Sequence, residues 1–206
     1  MDRTKLIDHL NQDLAGELTV QLGDMVREES GHAEERAPAE GLATVNRIEP
    51  GPGQESVWDY PRPPRIESTD KLVQVFFNGK RIAETWQATR VLETSHPPTY
   101  YIPPDDVDSA VLASSSYRTF CEFKGNAIYH SLDDGNHHSP DAAWSYPQPV
   151  PAFESIRHHI AFYPSRVEAC FVDGEQVLCQ EGDFYGGWIT RNIVGPFKGS
   201  SGTWGW

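Results

Sequence analysis

Between Val91 and Gly125 the chain reads V-L-E-T-S-H-P-P-T-Y-Y-I-P-P-D-D-V, a short spacer, then S-Y-R-T-F-C-E-F-K-G. The residue types suit proton transfer, nucleophilic attack and anion binding. His96 precedes Pro97-Pro98, and two fixed φ angles make a rigid mount for an imidazole. An unperturbed pKa near 6.5 suits such a group to general acid–base work, and Glu93, three residues upstream, is placed to orient its second nitrogen. The plainer role is a His that caps backbone groups at a strand end. Cys121 is a nucleophile only if a cationic neighbour lowers its pKa; otherwise it is a small buried hydrophobe. Lys124, in F-K-G, can hold an anionic ligand group or be a solvated turn residue.

The elements that position these groups are short. Tyr100 and Tyr101 are adjacent on an extended segment and so face opposite ways. One can line a pocket and the other belongs to the core; the sequence leaves open which. In the strand expected over 117–123, Tyr117, Thr119, Cys121 and Phe123 share one face, and Arg118, Phe120, Glu122 and Lys124 the other. Cys121 and Lys124 therefore meet only if the chain turns before Gly125. Trp144 and Tyr146 share a face and form an aromatic wall for a flat ligand, or core. The ligand-binding candidates are thus Glu93, Tyr100, Tyr101, Lys124, Trp144 and Tyr146, and the catalytic candidates are His96, Cys121 and Lys124. The pairs His137-His138 and His158-His159 face apart and lack a third ligand, so no metal is assigned, and any cofactor is left unknown.

Around this stretch, turn signals recur every 8–12 residues. Asn78-Gly79 readily takes the two positive φ angles of a type I′ turn, and Asp134-Gly135 and Asp173-Gly174 mark further turns. Strands are expected near 70–77, 80–85, 88–94, 98–102, 117–123, 126–132 and 142–146, with more through 179 and one helical turn near 152–157. That pattern predicts an antiparallel sandwich or open barrel, and nothing alternates with long helices as a doubly wound fold requires.

The chain has 17 basic and 30 acidic residues, a net charge of -13. That argues against a nucleic acid or an anionic membrane as principal partner, since both need a positive footprint. All 23 aromatic residues lie after residue 57. Residues 1–36 read as an amphipathic helix, with Leu6, Leu10, Leu14, Leu18, Leu22 and Val26 in one stripe that must pack on the body or on a second copy. Residues 37–56 read as a linker, 57–69 as a Pro/aromatic arm, 70–180 as the β domain and 181–206 as a Gly/aromatic tail packed on it. No apolar window reaches the length of a membrane span, no signal peptide is evident, and three widely spaced cysteines fit neither a disulfide framework nor a paired zinc knuckle. Cytoplasm is the expected setting.

Two short echoes stand out: W-D-Y-P-R-P (58–63) with W-S-Y-P-Q-P (144–149), and C-E-F-K-G (121–125) with G-P-F-K-G (195–199).

The motifs V-L-E-T-S-H-P-P-T-Y-Y-I-P-P-D-D-V, C-E-F-K-G-N-A-I-Y, A-A-W-S-Y-P-Q-P, I-A-F-Y-P-S-R-V and F-V-D-G-E resemble the family catalogued as domain of unknown function 427, over roughly 70–175. The arm and tail resemble extensions that some members carry. The resemblance implies a small β-tent-like domain, two antiparallel sheets around a cavity, and a nucleotidyltransferase label sometimes attached to the family. Asp105, Asp106 and Asp108 are the only clustered acids near the site, and their place after Pro-Pro suits helical capping rather than Mg²⁺. L-N-Q-D-L-A-G-E-L and R-E-E-S-G-H-A-E-E resemble fragments of ferritin-like helices, with Glu17, Glu29 and His32 at the matching positions; a second Glu and E-x-x-H set, which such a site needs, is missing. Three functions are in view: a small-molecule-binding β domain, an enzyme using His96 as general acid or base, and an interaction module that forms a homodimer through residues 2–36.

Overall fold

Alternating polar and apolar residues separated by Gly-containing turns give a mainly β body, seen in a computed structural model that describes residues 45–182, 184–203 and 205–206. The helix expected over 1–36, with its dimer and its ferritin-like fragment, lies outside the described residues, as do residues 37–44 of the expected linker. Among the described residues fifteen short strands follow in order: β1 (Glu55–Ser56), β2 (Arg65–Ser68), β3 (Val73–Phe77), β4 (Lys80–Thr85), β5 (Thr89–Leu92), β6 (Thr99–Tyr101), β7 (Leu112–Cys121) and β8 (Gly125–Asp133). The rest are β9 (His138–Ser145), β10 (Ala161–Phe162), β11 (Ala169–Val172), β12 (Glu175–Gln176), β13 (Leu178–Cys179), β14 (Trp188–Ile189) and β15 (Ile193–Val194).

Hydrogen bonding sorts them into the sheets β10-β9-β8-β7, β12-β11-β3-β4 and β2-β5-β6, with the pairs β13-β14 and β1-β15. Among the described residues every pairing of these strands but one is antiparallel; β1 and β15 run parallel, Glu55 opposite Ile193. A bridge between Ile102 and Ile160, with N–H···O bonds of 2.9 and 2.8 Å in the two directions, carries the β2-β5-β6 sheet into β10-β9-β8-β7. The turns take the geometry their residues favour. Asn78 and Gly79 sit at φ 48° and 70°, and Asp173 and Gly174 at 50° and 77°, matching the right-handed twist of the flanking strands.

Strand alternation builds two cores on opposite faces. One gathers Val73, Val75, Ile82, Tyr100, Ile102, Leu132, Phe162 and Trp188. Trp188 is fully buried there, and its indole N–H donates to the Phe162 carbonyl at 3.1 Å. The second gathers Val91, Tyr101, Tyr129, Trp144, Tyr146, Phe153, Ile156 and Tyr163. Burying such aromatic side chains contributes on the order of 1.5–3 kcal/mol each. A third, small cluster joins Val57, Tyr60 and Leu92 to Ile193 and ties the two flanks of the chain to the body. Among the described residues no helix is long and apolar enough to cross a membrane.

Candidate functional site

The second core is open at one end, where it becomes a cavity of about 230 Å³. Its aromatic wall has fixed edges. The Trp144 indole N–H donates to the Tyr101 hydroxyl at 3.2 Å, and the two rings meet edge to face at 86°. Tyr163 lies 4.5 Å from Trp144, centroid to centroid, and donates its hydroxyl to the Phe184 carbonyl at 3.2 Å. Tyr129 links Tyr163, at 3.5 Å, to Thr119, at 3.1 Å. Burial raises the pKa of Tyr101, Tyr146 and Tyr163, so each keeps its proton.

His96, Cys121, Lys124, Glu93, Tyr101, Trp144 and Tyr146 all line this cavity. Tyr100 does not. Alternation turns it to the other face, where it packs against Trp188 at 5.1 Å, and burial pushes its pKa up to about 12. Cys121 and Lys124 meet on one cavity because β7 ends at Cys121 and the chain turns into Gly125, at φ 101°. Beyond the strand the alternation that would part them no longer applies.

Glu93 does not orient His96. Its carboxylate pairs with Arg62 at 3.6 Å, and Arg62 also pairs with Glu122 at 3.1 Å. A tight turn explains this: the His96 N–H donates to the Glu93 carbonyl at 3.0 Å, through Ser95 at φ 70°. The partner of His96 is Gln180, whose Nε2 lies 3.0 Å from Nδ1. The orientation of that amide follows from its other contacts. Nε2 donates to the Lys198 carbonyl at 2.6 Å, and Oε1 accepts from the Gly187 N–H at 3.2 Å. Nδ1 of His96 is therefore an acceptor, and the neutral ring carries its hydrogen on Nε2. Burial, with the positive charges of Lys198, Lys124 and Arg62, lowers the His96 pKa from 6.5 to about 4.

The mount for His96 is more than two prolines. Ser95 donates its N–H to the Val57 carbonyl at 3.0 Å and accepts from the Lys198 N–H at 2.9 Å, and the Pro98 carbonyl accepts from the Trp188 N–H at 2.9 Å. The tail reaches this position on glycine. A Cβ on Gly186 would lie 2.2 Å from the Trp144 ring, so only a bare backbone passes there. Tyr185 then packs against the His96 imidazole, ring centroids 4.4 Å apart and planes inclined at 54°.

Arg62, Thr119, Tyr129, Tyr163, Gln180, Phe184, Tyr185 and Lys198 also line the cavity, none of them a sequence candidate. One signal for Lys198 was present: the two F-K-G echoes place both their lysines, Lys124 and Lys198, on the same cavity. Asp105, Asp106 and Asp108 do not line it. Asp108 caps the turn Ser109–Val111 by accepting from the Ala110 N–H at 3.0 Å, and Asp105 and Asp106 lie in the preceding turn, Pro104–Asp106.

Fold and cavity together define a small, mainly antiparallel β domain with an aromatic cavity. The family model described as "Domain of unknown function (DUF427)" matches residues 65–173, and the chain belongs to that family. A search of curated proteins finds no match to the chain. His96, Cys121, Lys124, Tyr101, Trp144 and Tyr146 fall within the matched residues; Arg62, Gln180, Tyr185 and Lys198 fall outside them.

Proposed function

We propose that the chain binds a small, flat, largely apolar molecule between the aromatic walls of this cavity. The observation that carries the reading is that Tyr101, Trp144 and Tyr163, fixed by the Trp144–Tyr101 and Tyr163–Phe184 hydrogen bonds, line one cavity of about 230 Å³. The tent-type family fold suits this use, with the cavity at the open end of a sheet-backed aromatic core. His96 fits a ligand-binding role better than proton shuttling. A ring with Nδ1 engaged and a pKa near 4 stays neutral at physiological pH and offers a fixed Nε2–H donor. The nucleotidyltransferase label gains no support from the cavity. Among the described residues the acids that line it, Glu93 and Glu122, are taken up by Arg62 rather than gathered for Mg²⁺.

The test is a thermal-shift screen of flat aromatic compounds on the full chain. A ligand at about 100 times its Kd adds about 2.7 kcal/mol to native stability, or roughly 5–10 °C for a chain of this size. We expect at least one such compound to raise the melting temperature, and Trp144→Leu to abolish the shift while the variant still melts cooperatively. Should that variant not fold, Tyr146→Leu serves in its place. A screen with no wild-type shift, or a shift that survives both substitutions, would refute the reading.

A further inference from the structure

We infer that the molecule bound in this cavity carries a negative charge and that Lys198, supplied by the tail, selects it. The inference rests on the cavity-binding reading and deepens it. An aromatic cage by itself attracts cations. Here the described lining has three cations, Arg62, Lys124 and Lys198, and two acids, Glu93 and Glu122. Both acids are held by Arg62, and no side-chain carboxylate among the described residues lies within 4.0 Å of either lysine. In a chain of net charge -13 this cavity is a positive spot.

Lys198 is the sharper of the two. It is 9% exposed, against partial exposure for Lys124. Its ammonium has three donors; one goes to the backbone oxygen of Trp206 at 2.6 Å, and the group sits 6.0 Å from the Tyr185 ring. No side-chain carboxylate among the described residues neutralises this buried ammonium, and an anionic group on the ligand supplies a countercharge. The same amide that accepts from Gly187 also holds the Lys198 backbone and fixes the His96 tautomer. A charge and a neutral N–H donor are thereby set on one cavity, a pairing that suits a carboxylate or sulfonate. Three cations against two acids match a monoanion, and about 230 Å³ is below the range of ~300–1,000 Å³ common for drug-sized ligands. The ligand class is a small aromatic monoanion. Because Lys198 lies outside the family-matched residues, charge selection belongs to the tail rather than to the shared domain.

The test compares 2-naphthoate with 2-naphthamide, which share an aromatic body and nearly the same shape but differ in charge, by calorimetric titration of the full chain. We expect the wild type to bind naphthoate at least tenfold more tightly, and Lys198→Met to remove that preference while leaving naphthamide affinity within about twofold. Equal wild-type affinities, or a preference that survives Lys198→Met, would overturn the inference and leave the cavity reading standing. Binding of neither compound, together with a negative aromatic screen, would overturn both. If Lys198→Met does not fold, the wild-type comparison decides whether charge is selected, and loss of the whole preference in Lys124→Met would give the selecting role to Lys124 and so overturn the assignment to the tail.

Discussion

Replacing His96 with Asn should remove a defined part of the acid sensitivity of the fold. Asn places Oδ1 where the imidazole has Nδ1, so the bond from Gln180 has an acceptor in both proteins. In the wild type the folded pKa is depressed, from 6.5 to about 4. As pH falls, the unfolded chain takes up this proton first, and stability is lost between about 6.5 and 4. The 2.5-unit gap corresponds to about 3.4 kcal/mol when fully developed, and to about 2 kcal/mol at about pH 5. His96 is half-buried, so screening trims this to about 1–2 kcal/mol, or roughly 2–8 °C in melting temperature. The assay is thermal unfolding of wild type and His96→Asn at about pH 7.5 and about pH 5, taking the difference of differences so that other titrating groups, such as His130, cancel. A carbon- or nitrogen-detected imidazole titration gives the midpoint directly. A midpoint near 6.5, or equal acid losses in the two proteins, would refute the account of His96 as a half-buried neutral donor amid positive charge.

Two further outcomes follow from close packing and from a buried ion pair. Gly186→Ala sets a methyl 2.2 Å from the Trp144 ring; it should cost about 1–3 kcal/mol by chemical denaturation and weaken naphthoate binding, whereas Gly205→Ala, with open space around it, should do neither. Arg90 is 8% exposed and is bonded to Glu55 at 2.6 Å and to Glu67. Arg90→Met should destabilise the fold by about 1.5–3 kcal/mol, since the two carboxylates it leaves are partly exposed to solvent, and adding Glu55→Gln and Glu67→Gln should restore part of that loss in urea unfolding.

How much of this was legible depends on the range of the interaction. Local chemistry read well. Asn78-Gly79 and Asp173-Gly174 announced turns whose φ angles are positive at both residues. Period-two alternation required Tyr100 and Tyr101 to part, although not which one would face the cavity. Glu93 and His96 are the instructive miss. Three residues apart suggests a pair, yet the turn at Ser95 joins their backbones while their side chains find partners from distant segments. Gln180 lies 84 positions from His96 and contributes from irregular backbone, where no periodicity marks a residue as facing inward. Arg62 sits in a proline-rich arm for the same reason. Only the repeated F-K-G hinted that the tail shares a role with the β7–β8 turn.

The parallel pairing of β1 with β15 has a dynamic consequence. Neither two-residue strand has another sheet partner, and their union is reinforced by the Glu55 N–H to Asn192 carbonyl bond at 2.8 Å and by the Trp58 indole to Pro196 carbonyl bond at 2.8 Å. Each flank is thus the other's template, so opening one removes the hydrogen-bond partners of the other. The two should detach as a single cooperative unit below the energy of global unfolding, and hydrogen exchange of their amides should give one shared opening free energy. Arg62 rides on one flank and Lys198 on the other, so the same opening would withdraw both charges from the cavity together.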